Sequence, residues 1–587
     1  MDPAASMQIH DLERAKRERL LKLVILGVFC LVLAPFVVPS ALRIRAGQGF
    51  PHEMDSEEGF VLWQAWQLRH GHTIFRPLTS PPYVVATYGP LFPLVNAAFL
   101  WGEVPTLSGG RLISALSVAA ICLFMALIIW GETRQALAAL FGPLLFLNSY
   151  DVYLWLPFYR VDFMALALGM AALWLLARTD RSEKWRVRVA CACFVAMAYT
   201  KQVELAPLVA AWLYFAYTGH QTAWRLCRNV VAWGVGIAVV LTVLTRGQFL
   251  VHNVYCNANA FSLWQIKTIL RVHFSTFYRF LAIAVAVCLI WLIVERWRSR
   301  APAAHQEHGE NEGREEWGRL GLFAVYAAVA SLDILGLGKA GAATNYLIEP
   351  NAAWSLLVAL VLGKTVCSHA ATGKRLCRRP VFFPVAVVLA LHVLEFLCSS
   401  TVVPALGYWI ARHPGGTVDQ FARSPIVLNY LRARPQILAR DVRNPSVVDL
   451  RNGNQAVELL RQVPGEVMSE RPVLAMRAGK AVYMQPFIMK ELALEKKWDQ
   501  TPVVEAFRRK EFALIVTTED ISNEGFFFHY TDEMVAAMRE AYRLRETLDG
   551  TSTTAALANY YLFEPREEGA SEKGEVRGKK SESKSKE

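Results

Sequence analysis

Stretches of 15 to 25 apolar residues, separated by short polar breaks, recur along the first four hundred positions of this chain. After a polar start, Met1 to Arg19, the first apolar run is Leu20 to Leu42. Further runs cover approximately 109–131, 135–150, 162–178, 186–200, 203–218, 227–246, 274–296, 319–337, 346–365 and 380–402. Their length matches a bilayer crossing, so the pattern predicts a polytopic α-helical membrane protein with about 11 spans. No small-residue cleavage site follows the first run, which is therefore read as a retained span. Two shorter elements interrupt the series. Glu58 to Leu68 alternates apolar and polar residues as an amphipathic helix at the membrane interface would. Tyr88 to Trp101 is apolar but short, with Pro90 and Pro93 near its start, and predicts a re-entrant or juxtamembrane helix.

From about residue 403 the pattern changes. Val473-Leu-Ala-Met, Ala513-Leu-Ile-Val-Thr-Thr and Tyr560-Tyr-Leu-Phe predict short strands, and Asp532 to Tyr542 predicts a helix. Together they predict a small soluble α/β domain over 403–565. The remainder, 566–587, is charged and almost without apolar residues, which predicts disorder. The organisation is then a cytoplasmic stretch 1–19, a membrane domain 20–402 with a long outer loop 43–108, the soluble domain and a tail. No internal repeat is seen.

Composition agrees: 54% of 587 residues are hydrophobic, with a mean hydropathy of +0.27. The net charge of +12 could suggest nucleic acid. The cations, however, gather in alternate loops, as the positive-inside rule requires. Arg14, Lys16, Arg17, Arg19 and Lys22 precede the first span. Arg178, Arg181, Lys184, Arg186 and Arg188 share one loop, Arg225 and Arg228 another, and Arg296, Arg298 and Arg300 a third. Lys364, Lys374, Arg375, Arg378 and Arg379 share the last. The assignment puts the N-terminus in the cytoplasm and the C-terminal domain outside. It requires Val187 to Thr218, about 32 residues, to be two short spans broken at Thr-Lys-Gln-Val-Glu; one long span would invert every later loop. None of the ten cysteines lies after Cys398, and only Cys191-x-Cys193 is closely spaced, inside an apolar run. Cysteine usage leaves the compartment open.

The polar residues at span ends collect on the side opposite the cations. Asp55-Ser-Glu57-Glu58-Gly precedes the interfacial helix, where acids could serve as bases or simply complement a helix dipole. Tyr159-Arg160-Val-Asp162 opens a span, Tyr199-Thr-Lys201-Gln202-Val-Glu204 fills an outer turn, and Asn345-Tyr346-Leu-Ile-Glu349-Pro350 opens a late span. A charge near the bilayer centre costs roughly 2.5–3.5 kcal/mol, less at its edge. Each group is a structural ion pair or a functional one, and four on one side form a pattern. His70-Gly-His72 has metal-ligand residue types but reads as a surface turn. No nucleotide-binding, HExxH or GxSxG motif occurs in a fitting context. Gly336-Leu-Gly-Lys-Ala-Gly341 reads as a flexible loop.

In order, these motifs are acids in the first outer loop, Tyr88-Gly-Pro-Leu-Phe-Pro, Arg160-x-Asp162, Thr200-Lys-Gln and Asn345-Tyr-x-x-Glu-Pro. The sequence resembles bacterial GT-C glycosyltransferases, in the protein mannosyltransferase and aminoarabinose transferase-like branch, over about residues 20–400. The resemblance implies an inverting transfer of sugar from a polyprenyl-phosphate-linked donor to a lipid, glycan or protein acceptor at the outer face of the bacterial inner (plasma) membrane. The family's first-loop acid maps onto Glu57-Glu58, which implies Glu58 as the base, with Glu57 and then Asp55 as alternatives. Asp162 matches the second outer acid, Arg160 and Lys201 suit the donor phosphate, and Tyr88, Gln202, Tyr346 and Glu349 line the cavity. No cofactor is indicated; a divalent metal is compatible but not called for. Two other classes fit parts of the pattern: a transporter or flippase of lipid-linked sugars, and a non-catalytic envelope scaffold. Transporters place their charges nearer mid-span and show half-to-half symmetry.

Overall fold

The computed structural model describes residues 3–100, 102–178, 184–274, 278–298, 310–367, 381–399, 444–525, 527–550 and 559–567. The predicted start of the soluble domain, 403–443, nearly all of the tail and the basic group Lys374 to Arg379 lie outside the described residues.

Helices dominate the first four hundred positions. Among the described residues, five are long and apolar enough to cross a membrane: those within Glu13–Gly49, Ser108–Thr133, His220–Leu244, Arg319–Gly338 and Thr344–Val366. Ala136–Leu147, Asp162–Ala177, Ala206–Thr218 and Phe382–Leu394 are apolar but shorter. The packed centre is Ile348–Cys367, whose apolar face meets Ala136–Leu147 and Ser108–Thr133. His220–Leu244 is almost wholly uncovered, with Val231, Val235, Val239, Val243 and Leu244 facing outward, as lipid-facing residues do.

The predicted break between two short spans is present. One helix ends at Thr200, Lys201 to Leu205 form a turn, and the next helix starts at Ala206 with Pro207 in its first turn. Proline lacks an N–H but is tolerated at a helix start, so Pro207 fits that restart. The short helix after Tyr88 spans Leu91–Ala97.

The C-terminal domain carries a four-stranded sheet in the order β1-β2-β4-β3. Strand β1 (Glu466–Ser469) runs parallel to β2 (Phe512–Thr517), and β4 (Tyr560–Pro565) is antiparallel to both β2 and β3 (Tyr542–Leu548). Helices Val447–Gln462 and Pro472–Arg477 share an apolar core with one part of the sheet, and Thr501–Arg508 and Asp532–Ala541 share a core with another.

Two expectations are corrected. Val473-Leu-Ala-Met is helical, not a strand. Pro472 stands at the first helical position, and an apolar run of four residues has too little length to distinguish the two periodicities. The helix Glu58–Arg69 is not an uncovered amphipathic helix. Every residue from Glu58 to Ala65 is buried, because Leu91–Ala97 and the C-terminal helix Pro472–Arg477 both pack against it.

Candidate active site

The site forms where several chain segments meet. Gly89 permits the closest approach: a Cβ there would stand 2.0 Å from the carbonyl oxygen of Tyr199. This contact seats the Tyr88-Gly-Pro loop on the end of helix Lys184–Thr200. Tyr88 then reaches Arg160, and Gln202 Nε2 donates to Thr87 O at 2.6 Å.

At the centre, Asp162 bridges two cations. Its Oδ1 accepts from Lys201 Nζ at 2.8 Å and from Asn345 Nδ2 at 2.7 Å, while Oδ2 stands 3.6 Å from Arg160 Nε. Lys201 also pairs with Glu204 at 2.9 Å and lies over the Tyr346 ring, 5.0 Å from its centroid. Arg160 donates through Nη1 to Asp55 Oδ2 at 2.9 Å and through Nη2 to the Tyr88 hydroxyl at 3.1 Å. Among the described residues its Nε has no hydrogen-bond partner, and neither has Asp162 Oδ2. All of these ions are nearly buried, so their mutual attraction must offset a desolvation cost of several kcal/mol per charge.

The three first-loop acids divide sharply. Glu58 is fully buried: Oε1 accepts from Arg111 Nε (2.9 Å) and Tyr159 N (2.7 Å), and Oε2 from Arg111 Nη2 (2.8 Å), Met54 N (2.7 Å) and Asp55 N (3.3 Å). No lone pair remains for a substrate. Asp55 is committed to Arg160 and to the backbone N–H of Glu57. Glu57 is half-buried; Oε2 accepts from Gln485 Nε2 at 2.9 Å, and Oε1 has no protein partner among the described residues. Burial pushes Glu57 up to about 7, with Asp55 adding to the rise and Arg160 and His529 opposing it. Burial also raises Asp55, against the pull of Arg160. Glu53 rises to about 8 for the same reason, with Arg471 opposing.

Glu349 is buried, with Asp333 and Glu204 as neighbouring charges. His70 and His72 are exposed, and His70 Nδ1 meets only its own helix at Trp66 O. Among the described residues no three His, Cys, Asp or Glu stand together as metal ligands.

Three participants escaped the sequence reading. Arg111, four residues into an apolar run, carried a signal of its own, since a charge there needs a buried partner. Gln485 and His529 come from the C-terminal domain, and nothing local marks them. His529 Nδ1 stands 3.1 Å from Glu519 and 3.3 Å from Glu470. Burial alone would lower this imidazole; the two carboxylates overcome that and hold it above the ordinary range.

No family model and no curated protein matches the chain. Among solved structures, that of ArnT from Cupriavidus metallidurans bound to undecaprenyl phosphate aligns over 90% of this chain and 97% of its own, with a TM-score of 0.50 at 12% identity. The chain has a GT-C fold. The apo state of the same ArnT gives 0.43 at 13% identity over 90% and 97%. The apo oligosaccharyltransferase of Archaeoglobus fulgidus gives 0.43 at 13% over 85% and 70%. At such identities the likeness is one of fold.

Proposed function

We propose that this protein is an inverting membrane glycosyltransferase that takes a sugar from a polyprenyl-phosphate donor and delivers it to a hydroxyl of a lipid, glycan or protein at the outer face of the bacterial inner membrane. The observation that carries the reading is the junction at Arg160: one guanidinium meets Asp162 and, through it, Lys201 on one side and the first-loop acids on the other. Positive charge for a leaving phosphate thus stands beside a candidate base. The bound lipid of the ArnT structure supports a donor of the same class.

In this reading Glu57 replaces Glu58 as the base. Unlike Glu58, it keeps a carboxylate oxygen without a protein hydrogen bond among the described residues, and unlike Asp55 it accepts no hydrogen bond from Arg160 on either oxygen; its proton affinity near neutrality suits general-base catalysis. Glu57 takes the acceptor's proton, the acceptor oxygen attacks the anomeric carbon, and the sugar–phosphate bond breaks on the opposite face. The polyprenyl phosphate leaves carrying the bonding electrons, its charge met by Arg160 Nε and Lys201. Tyr88, Tyr346, Gln202 and Glu349 shape the walls, and Glu58 fixes the loop.

The domain boundaries belong to the same proposal: 1–19 inside, 20–402 in the membrane, 403–565 outside with the acids, and 566–587 as tail. The test uses purified full-length protein with a total lipid extract of the source membranes, following release of free polyprenyl phosphate by mass spectrometry. Release that is lost in Glu57→Gln and Lys201→Met supports the reading. Lipid-linked sugar moved across vesicles without release would replace it with transport.

A further inference from the structure

The C-terminal domain touches the acids through one side chain whose orientation is fixed at both ends. Gln485 is 1% exposed. Its Oε1 accepts from the backbone N–H of Val85 at 3.2 Å, and its Nε2 donates to Glu57 Oε2 at 2.9 Å. Because the Val85 N–H can only donate, the amide oxygen must face it, and the NH₂ group must face Glu57. The backbone on either side is equally tied. Tyr83 N donates to Tyr483 O at 2.8 Å, Gln485 N donates to Tyr83 O at 2.9 Å, and Tyr83 pairs with Met484 as a parallel bridge.

The domain is held against the first loop at further points. His52 Nε2 meets Asn454 Oδ1 at 3.1 Å, Val473 N donates to Glu53 Oε1, and Trp498 Nε1 donates to Leu78 O. Gly59 makes the fit possible, since a Cβ there would stand 1.7 Å from Glu53 Oε1 and 2.6 Å from Pro472 Cγ.

We infer that Gln485 is a positioning residue for Glu57, so that the active site is complete only with the C-terminal domain docked. The inference rests on Glu57 as the base. A single neutral donor on Oε2 orients the carboxylate and leaves Oε1 for the acceptor hydroxyl. It also favours the charged form, since a hydrogen bond to the carboxylate stabilises it over the acid. The other charges facing Glu57 are Arg160 and Asp55 from the membrane domain and His529 from the same C-terminal domain, with the Tyr88 hydroxyl beside them. None of these contacts Oε2 by a hydrogen bond among the described residues, so Gln485 can be removed while the rest of the set stays.

The test is an infrared titration of the full-length protein in lipid nanodiscs, with the Glu57 carboxyl band identified by its absence in Glu57→Gln. Gln485→Met keeps the length of the side chain and removes the donor. The band should then titrate at higher pH than in the parent, and release of polyprenyl phosphate should fall about tenfold, in proportion to one lost hydrogen bond to a charged group. In the Glu57→Gln background, Gln485→Met should cost nothing further. An unmoved band, or an additive loss in the double variant, overturns the positioning role. Full activity of Glu57→Gln overturns instead the reading of Glu57 as base, so the two failures are distinct.

Discussion

Arg111 holds Glu58 with two parallel bonds of 2.9 and 2.8 Å, and the remaining N–H groups of its guanidinium reach the carbonyl oxygens of Gly47, Phe50 and His52 at 2.6 to 2.8 Å. All five donors are used, both residues are buried, and Glu58 in turn receives the backbone N–H groups of Met54, Asp55 and Tyr159. The pair ties the loop carrying Asp55 and Glu57 to the segment carrying Arg160. It sets the distance between Glu57, the proposed proton acceptor, and Arg160, a proposed donor-phosphate contact.

Losing one partner should therefore damage folding before chemistry. Breaking a buried ion pair costs about 3–5 kcal/mol, because the remaining charge stays buried without its counter-ion. Arg111→Met should lower the thermal midpoint of detergent-solubilised protein sharply, and Arg111→Lys should do nearly as much, since an ammonium cannot serve a carboxylate and three carbonyls together. Glu57→Gln should leave the same midpoint almost unchanged. Equal midpoints for Arg111→Met and the parent would remove the hub role.

Glu57→Gln should instead lower the rate of sugar release about 10²–10⁴-fold, the usual worth of a general base. Glu57 must be unprotonated to act, and its proton affinity lies near 7 rather than in the ordinary glutamate range. Activity should consequently fall as pH drops through 7 and level off above it. A profile flat down to pH 5 would exclude this carboxylate. Removing the neighbouring positive charge by His529→Gln takes away an influence that lowers the Glu57 value, so the same limb should move to higher pH.

Much of this site was legible in the sequence, and the unread part has a common cause. Lys201 and Asp162 were visible because charges at the ends of apolar runs are expensive and must be accounted for, and the break at Lys201 followed from loop charge alone. Arg160 and Lys201 both meet the carboxylate of Asp162. The saturation of Glu58 was not legible, because local sequence shows an acid before a helix but not Arg111, 53 residues further on, which pairs with it. The helix Glu58–Arg69 looked interfacial for a similar reason: its apolar residues are covered by Val473 and Met476 of Pro472–Arg477, a partner some four hundred residues distant. Gln485, flanked by Met484 and Pro486, carries no local sign of its task. Long-range packing decided each of these points.

The donor side gives a prediction of different form. Lys201→Met removes one charge from the phosphate-binding pair and leaves Asp162 to Arg160 and Asn345. Hydrogen bonds to charged groups are worth about 1.5–3 kcal/mol, so donor affinity should drop roughly 10- to 150-fold. Arg160→Lys should also weaken donor binding, because the guanidinium serves Asp55, Tyr88 and the Asp162 side in three directions at once. Binding of undecaprenyl phosphate to purified variants measures both. Unaltered affinity in each variant, with folding intact, would leave Arg160 and Lys201 as neutralisers of Asp162 and nothing more.

Orientation follows from the same contacts. The bond between Gln485 and Glu57 puts the C-terminal domain and the acids on one side of the membrane, and Arg160 and Lys201 share that side through Asp55 and Asp162. The asymmetry of the basic loops predicts that this side is the outside. A reporter fused at Pro302 should accordingly read as cytoplasmic, and one fused after Arg412 as exterior. Both on the same side would mean that an odd number of crossings does not separate them. The break at Lys201 precedes both reporters, so one continuous span there would invert the two together rather than bring them to one side. A cytoplasmic signal after Arg412 with an exterior one at Pro302 would turn the whole site inward, and a donor presented from the outer leaflet could no longer reach it.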